Sequence, residues 1–306
     1  MSDETNIAYS KMTGARQIML SWAREICTLD ELPQLYRPAF ARLFEGAAAM
    51  PYSVLAPAQS AGRGSKPAER LLVDGGDRFY LLERAGSEVL TTGYRYQDIV
   101  FLETGKILLY SWFSIYGKTV EGREKRSIIE FNEVTWRYFQ PFFGRIRPAP
   151  VGDAGRSEAD PFDALARVNY KLMNFAYDGL VSGEYVLQYV YQPEIRQPWL
   201  SVLGRKFYRT TAFTHLAILT DQELIFIGDV EQVTDRRRSS YGGAWQYLPM
   251  RSLQAVTLAQ QPDGLLCLTA QLSADFQVTR LFEPAQRAEV EHLKQTLEQR
   301  IGLAEK

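Results

Sequence analysis

The stretch that decides the fold is HLAILTDQELIF, residues 215–226. Apolar residues dominate on both sides of a polar step in its middle. The stretch lies in a longer region, Glu184 to Leu281, whose short apolar runs and polar breaks predict strands. A second region of this kind runs from Met50 to about Pro148. The chain is therefore predicted to be rich in strands, and at 306 residues it is long enough for two domains.

Turn chemistry predicts individual hairpins in the first of these two regions. Asp74-Gly75-Gly76-Asp77 separates Arg70–Val73 from Arg78–Glu83, and such a glycine-rich step is typical of a tight turn between antiparallel strands. A further turn is predicted at Glu103–Lys106, because this polar segment also stands between apolar runs.

Three helical segments are predicted around the strands. Residues 15–46 and 284–301 both carry apolar side chains at three- and four-residue spacing. A third helix is predicted from Asp160, a good N-cap residue, to about 179, after a polar linker at 151–159. The spaced apolar residues are Ile18, Trp22, Ile26 and Leu29 in the first segment and Val290, Leu293, Leu297 and Ile301 in the last.

The run 215–226, followed by Tyr247–Pro249 and Leu253–Val256, resembles the middle of bacterial pleckstrin-homology-like (PH-like) and GRAM-like domains. Those families place a tight turn at the Leu-Thr-Asp step and plug the open end of a barrel with a C-terminal helix. The likeness is good over residues 184–302 and weak over 50–182. It implies an α+β fold class with two PH-like β-barrel or roll domains, each followed by a C-terminal helix.

The resemblance also implies a tandem arrangement of domains. Residues 1–49 are expected to form an N-terminal helical lead-in. Residues 50–182 form a divergent first PH-like domain closed by helix 160–179, and residues 183–306 form a second one closed by helix 284–301. The first barrel is expected to be incomplete, or completed by the N-terminal helices, because little room remains for its last strands.

Charge and cysteine content exclude several classes of function. The 35 basic and 36 acidic side chains give a net charge of −1, which lacks the basic excess that nucleic-acid binding requires. The two cysteines, Cys27 and Cys267, are far apart in sequence and predict buried, inert thiols.

No apolar run is long enough to cross a bilayer, and the acidic, polar N-terminus does not resemble a secretory signal. A cytoplasmic protein is expected, peripheral to a membrane if it binds lipid.

No short motif for catalysis or cofactor binding occurs in the sequence. The two histidines, His215 and His292, have no second His or Cys at metal-ligand spacing, so neither a catalytic residue nor a metal or cofactor site is predicted. The nearest likeness to a phosphate loop, 62–66, lacks the spacing and the following helix that such a loop needs. An enzyme with a pocket between the domains stays open as an alternative.

The segment from Arg196 to Arg209 is the best candidate for a binding site. Its four basic residues and the adjacent Glu194 give a local net charge of 4 − 1 = +3, and Trp199 and Leu200 are apolar anchors. In lipid-binding relatives of the PH-like family, the corresponding connection holds phosphate-contacting residues, which implies contact with anionic headgroups here. The alternative is that Trp199 and Leu200 pack into an inter-domain contact. The predicted ligand-binding residues are Arg196, Trp199, Arg205, Lys206 and Arg209.

Two other loops combine charge and aromatic character. Arg236–Arg238 is nearly neutralised by acidic neighbours and is interpreted as a solvated hairpin tip. Phe142–Arg147 is interpreted as an inter-domain packing segment, unless its two phenylalanines are exposed.

The sequence therefore predicts a non-enzymatic binding or scaffold module that recognises a protein partner or an acidic membrane surface. The alternatives are the enzyme described above and a structural unit that assembles with copies of itself as a homo-oligomer.

Overall fold

The computed structural model describes residues 22–46, 49–58, 68–150, 161–202, 205–229 and 242–304. The chain divides into two compact units. Unit 1 comprises the chain up to Ile99 together with Leu108–Ile146, and unit 2 comprises Val100–Ile107 together with the chain from Arg147 onward.

The strands of the described residues are mostly four to ten residues long, with one much longer. They are β1 (Arg24–Glu25), β2 (Ser53–Ala56), β3 (Arg70–Asp74), β4 (Arg78–Ala85), β5 (Glu88–Ile107), β6 (Tyr110–Thr119), β7 (Glu124–Asn132), β8 (Val186–Gln192), β9 (Ile195–Val202), β10 (Arg205–Ala212), β11 (His215–Thr220), β12 (Glu223–Gly228), β13 (Gly242–Pro249), β14 (Ala255–Gln260), β15 (Leu266–Gln271) and β16 (Gln277–Phe282).

The helices of the described residues are short, except for the last. They are α1 (Arg37–Leu43), α2 (Gln140–Ile146), α3 (Asp163–Val168), α4 (Tyr170–Gly179) and α5 (Arg287–Ala304), with 3₁₀ turns at Glu133–Tyr138, Met250–Ser252 and Pro284–Gln286.

The strands form three antiparallel sheets. The largest has 11 strands in the order β1-β2-β3-β4-β5-β13-β12-β11-β8, with β6 paired to β5 and β7 paired to β6. The other two are the pair β9-β10 and the three-stranded sheet β14-β15-β16. Strand β5 belongs to both units, since it pairs with β4 over residues 88–95 and with β13 over residues 102–107.

The expected fold class is wrong. The described strands do not form two closed PH-like barrels or rolls, each with its own C-terminal helix. Eleven of them form one large antiparallel sheet, and the other five form the two small sheets. The physical reason is that alternation of apolar and polar residues specifies a strand without specifying its neighbour. The 20-residue strand β5 continues through Glu103–Lys106, where the sequence predicted a turn within the first barrel.

The turn at the Leu-Thr-Asp step is confirmed. Strands β11 and β12 pair antiparallel around it, with Ile218 opposite Ile225. The Thr220 hydroxyl accepts hydrogen bonds from the backbone N–H groups of Gln222 (3.1 Å) and Glu223 (3.0 Å), which holds the tight turn closed. All six residues of β11 are buried, which explains their unbroken apolar run.

The predicted hairpin at Asp74–Asp77 is confirmed as well. Strands β3 and β4 pair antiparallel on either side of it. Gly76 has a φ of +93°, a conformation that favours glycine, and its N–H donates to the Asp74 carboxylate (2.9 Å).

The predicted turn at Glu103–Lys106 is wrong. These residues continue β5 and pair with residues 243–246 of β13. The chain turns instead at Leu108 and Leu109, where Leu108 has a φ of +55°. This position lacks the asparagine or glycine by which such a turn is normally recognised in a sequence.

The helical lead-in is wrong over most of its described length. Arg24 and Glu25 form β1 and pair with Leu55 and Val54, and only α1 is helical. Ile18 lies outside the described residues. Pairing with a strand and burial of apolar side chains against it override the helical spacing. The resulting core of unit 1 includes Ile26, Leu32, Tyr36, Phe40, Leu55, Leu71, Val73 and Leu82.

The helix predicted at 160–179 is two helices, and Asp160 lies outside the described residues. Asn169 interrupts the helix with a φ of −150° and a ψ of 87°, and its side chain caps α4 by accepting from Leu172 N (3.0 Å). Helix α4 packs against β11 and β12 and so belongs to unit 2. The final helix is confirmed: Val290, Leu293 and Leu297 are fully buried in α5.

Candidate binding hairpin

Strands β9 and β10 form a hairpin of their own, here called the aromatic hairpin (residues 195–212). Within the described residues, neither strand pairs with any other strand. The sequence predicted a connecting loop here, and the structure makes it a two-stranded ribbon. Its base is tied to unit 2 by Ile195, which is 3% exposed, and by a 3.2 Å hydrogen bond from Gln197 to the Asp263 carboxylate.

The register of the hairpin places its residues on two faces. Phe207 lies opposite Leu200 and Tyr208 lies opposite Pro198, so Trp199 occupies a bulge between the two pairs. Because successive residues of a strand point to opposite faces, Phe207 and Tyr208 lie on different faces of the ribbon.

Aromatic side chains are exposed on both faces. Trp199 is 61% exposed, Tyr208 58% and Phe207 47%. Since water surrounds much of the Trp199 ring, the ring is not packed into a core. Three exposed aromatic side chains within ten residues of chain are a feature that usually marks an interaction site.

The basic residues are divided between the faces in the same way. Arg209 is exposed and lies opposite Gln197, whereas Arg196 lies opposite Thr210 on the other face. Arg196 donates to the Glu194 carboxylate (2.7 Å), which also accepts from the Thr210 hydroxyl (2.6 Å). Arg205 and Lys206 belong to β10, but their side chains lie outside the described residues. The predicted site residues therefore share one hairpin without forming one flat patch.

The other two basic and aromatic loops have different outcomes. Phe142 is 1% exposed and packs against Tyr52 and Phe79, and Phe143 contacts Phe113 and Trp136. The two phenylalanines are therefore packing residues, but these contacts lie within unit 1 and are not the inter-domain contacts that the sequence predicted. Arg236–Arg238 and residues 62–66 lie outside the described residues.

The described residues show neither a metal site nor a membrane-spanning helix. In the described ranges, no cluster of three or more His, Cys, Asp or Glu side chains is arranged to hold a metal ion. No helix found there combines the length and the apolar character needed to span a membrane.

Sequence reasoning missed a buried ionic network in unit 2, because its members are far apart in the chain. Arg147 donates through Nε to the Glu223 carboxylate (2.8 Å) and through Nη2 to the Gly179 carbonyl (2.8 Å). Its guanidinium lies 3.7 Å from the ring centroid of Tyr247. The side chains of Arg147 and Glu223 are 11% and 5% exposed, so their charges are largely removed from water.

Glu184 completes this network as a second buried carboxylate. It lies 3.6 Å from Arg147 Nη2 and accepts from the Thr220 hydroxyl (2.5 Å) and Val181 N (2.8 Å). Burial, together with the charge of Glu223, raises the pKa of Glu184 to about 7. One guanidinium thus faces two carboxylates, one of which retains a proton at mildly acidic pH. We interpret the network as structural, because Glu184 is only 1% exposed.

We expect Glu184→Gln to change how stability depends on pH. The Glu184 carboxyl titrates near its ordinary value of 4.5 when unfolded and near 7 when folded, so the wild-type free energy of unfolding falls as pH rises through this window. The variant lacks this fall, so the difference in free energy of unfolding between variant and wild type should shift in favour of the variant by roughly 1–3 kcal/mol between pH 4.5 and pH 8. Urea denaturation from pH 4.5 to 8 measures the difference.

A second buried group, His215, also makes stability depend on pH, so the variant has to be compared with the wild type at each pH. Burial, and secondarily the charge of Arg280, lowers the pKa of His215 from 6.5 to about 4, so its contribution to stability rises with pH over part of the same window. Because both proteins contain His215, its contribution cancels in the difference. A stability difference that stays constant from pH 4.5 to 8 contradicts the prediction.

Compared with models of known protein families and with curated proteins, the chain matches none of them. The PH-like resemblance therefore depends on a short run of residues alone. The fold and the site define a mostly antiparallel β protein of two compact units, of which unit 2 carries an exposed aromatic hairpin.

Proposed function

We propose that this protein is a non-enzymatic binding module whose aromatic hairpin binds the headgroup layer of an anionic membrane. The exposure of aromatic rings on both faces of a separate ribbon carries the proposal. Lipid headgroups surround a ribbon that enters them, so they would contact the rings on both faces at once. Trp199 and Tyr208 are also the residue types that favour the interface between water and hydrocarbon.

The charges of the hairpin support the headgroup layer over the hydrocarbon core. Arg205 and Lys206 lie between Phe207 and the end of the hairpin, so insertion of that end into hydrocarbon would carry two cations with it. In the headgroup layer, the same residues meet phosphates, and each is worth on the order of 1 kcal/mol near an anionic surface. Arg209 adds a further exposed cation near the aromatic side chains.

We expect the 306-residue chain to co-sediment with vesicles of phosphatidylcholine and phosphatidylserine, strongly at low salt and weakly at high salt. Trp199→Ala should weaken binding about tenfold at every salt concentration, because burial of the ring is not an effect of charge. Arg205→Ala combined with Lys206→Ala should weaken binding about thirtyfold at low salt and flatten the salt dependence, because salt screens exposed charges beyond about 10 Å at 0.1 M.

Matched controls separate the hairpin from the rest of the surface. Tyr170 is an aromatic residue of α4 that is 68% exposed, and Arg167 of α3 has a 79% exposed side chain, so Tyr170→Ala and Arg167→Ala should bind like the wild type. If the wild type ignores anionic vesicles at low salt, the membrane proposal is wrong. In that case, capture of a protein partner that Trp199→Ala abolishes would assign the hairpin to protein recognition.

A further inference from the structure

The three-stranded sheet has an outer strand without the usual protection. Strand β14 is one of the two edges of the sheet, the other being β16, and residues 255, 257, 259 and 260 of β14 are exposed. Natural edge strands commonly carry a charged residue, a proline or a bulge that prevents pairing with another chain. The segment Gln254–Gln261 has no charged residue and no proline, and β14 pairs with β15 in an uninterrupted register.

Half of the backbone groups of β14 point away from its sheet. The N–H of Gln261 donates to the Leu265 carbonyl (2.7 Å), so the backbone groups of residue 261 point towards β15. The direction alternates along an antiparallel strand, so residues 255, 257 and 259 also point their N–H and C=O groups towards β15. Val256, Leu258 and Gln260 direct theirs outward. Within the described residues, the backbone of these three makes no hydrogen bond outside its own sheet.

The sequence of this edge is nearly a palindrome. It reads Gln254-Ala255-Val256-Thr257-Leu258-Ala259-Gln260, and reversal about Thr257 exchanges only valine and leucine. Two antiparallel copies aligned at Thr257 would place glutamine opposite glutamine, alanine opposite alanine and valine opposite leucine. Such self-complementarity is what a two-fold interface between identical subunits requires.

We infer that β14 pairs with β14 of a second copy, antiparallel and with the two-fold axis at Thr257, to give a six-stranded sheet across a homodimer. In this register, Val256 and Leu258 of the second copy exchange backbone hydrogen bonds through their outward groups. The two Thr257 residues form the close, non-hydrogen-bonded pair, with Cα atoms about 4.5 Å apart. Thr257 already lies in a row with Thr269 and Thr279, and threonine pairs across strands are favourable.

Charge and packing around the strand fit the same occupant. Arg251 and Asp263 are exposed and flank β14, the first in the 3₁₀ turn before the strand and the second in the turn after it. Two antiparallel copies would therefore bring the arginine end of one strand near the aspartate end of the other. Val256 is buried in the side of the sheet that α5 contacts, so pairing at the edge leaves the core unchanged. An unrelated extended peptide explains neither the palindrome nor this charge arrangement.

Sedimentation velocity over a wide range of protein concentration tests the inference. The wild type should change from monomer to dimer as concentration rises. Thr257→Lys should raise the dissociation constant at least roughly tenfold, since it sets two like charges opposite each other. Thr279→Lys is the matched control, because Thr279 is exposed on the same face of the same sheet but on β16. It should dimerise like the wild type.

Cross-linking gives a second measurement. Cys27 is exposed, so the prediction that it is buried is wrong, and the experiment uses a Cys27→Ser background. In this background, Thr257→Cys should form a disulfide-linked dimer on oxidation, because the expected Cα separation is one that a disulfide spans. Thr279→Cys should remain a monomer on a denaturing gel. A wild type that is monomeric at all concentrations, or a dimer that Thr257→Lys leaves intact, overturns the inference.

Discussion

Replacement of Arg147 by methionine should lower the free energy of unfolding by about 3–5 kcal/mol. The change leaves Glu184 and Glu223 buried near each other without the guanidinium that both contact. It also removes the contact with the Tyr247 ring and the hydrogen bond to the Gly179 carbonyl. Denaturant unfolding at pH 8 measures the loss.

The control for Arg147 is a surface arginine of the same unit. Arg167 has a 79% exposed side chain paired with Asp163, so Arg167→Met should change stability by no more than about 0.5 kcal/mol. Adding Glu184→Gln and Glu223→Gln to Arg147→Met should recover part of the loss, because neutral amides have no charge to compensate. An Arg147→Met protein as stable as the wild type contradicts the interpretation of this network as structural.

The second large effect is expected for Gly117→Ala in β6. A Cβ atom at this position would lie against the Asp98 carbonyl oxygen and 2.9 Å from the Ile99 Cα atom, both in the backbone of β5. Since neither atom can move without disturbing the pairing of β5 with β6, we expect a loss of at least about 2 kcal/mol. Thermal and denaturant unfolding measure it.

Gly144→Ala is the matched control, and we expect it to raise the free energy of unfolding instead of lowering it. Apart from its chain neighbours and the backbone of its own helix, no heavy atom lies within 4 Å of the position a Cβ atom would take at Gly144. The residue lies within helix α2. Alanine should therefore stabilise the helix by roughly 0.5–1 kcal/mol. If both alanine variants change stability by the same amount, close packing of β5 on β6 is not the cause.

The candidate site was predicted from sequence in part. The segment Arg196–Arg209 stood out because aromatic and basic residues are concentrated there, and Trp199 is indeed exposed. Its hairpin form, the bulge at Trp199 and the placement of Arg196 and Arg209 on opposite faces depend on strand register. Register arises from pairing across strands, which composition does not reveal.

The sequence by itself determined where most strands and the last helix lie, and where the turns at Asp74–Asp77 and Thr220–Gln222 occur. These features depend on local chemistry: alternating apolar residues, glycines with positive φ and a threonine hydroxyl within reach of the next N–H groups. The spacing of Val290, Leu293 and Leu297 likewise sufficed to place α5, because one helix face meets one core.

Only the tertiary structure decided which strands are neighbours and which charges meet. It made Glu103–Lys106 part of β5, drew Arg24 and Glu25 into a strand, and brought Arg147, Glu184 and Glu223 together. The reason is that these contacts join residues distant in sequence, and their free energy depends on burial and on the complete set of partners. Local patterns contain neither quantity, so they could not distinguish two barrels from one long antiparallel sheet.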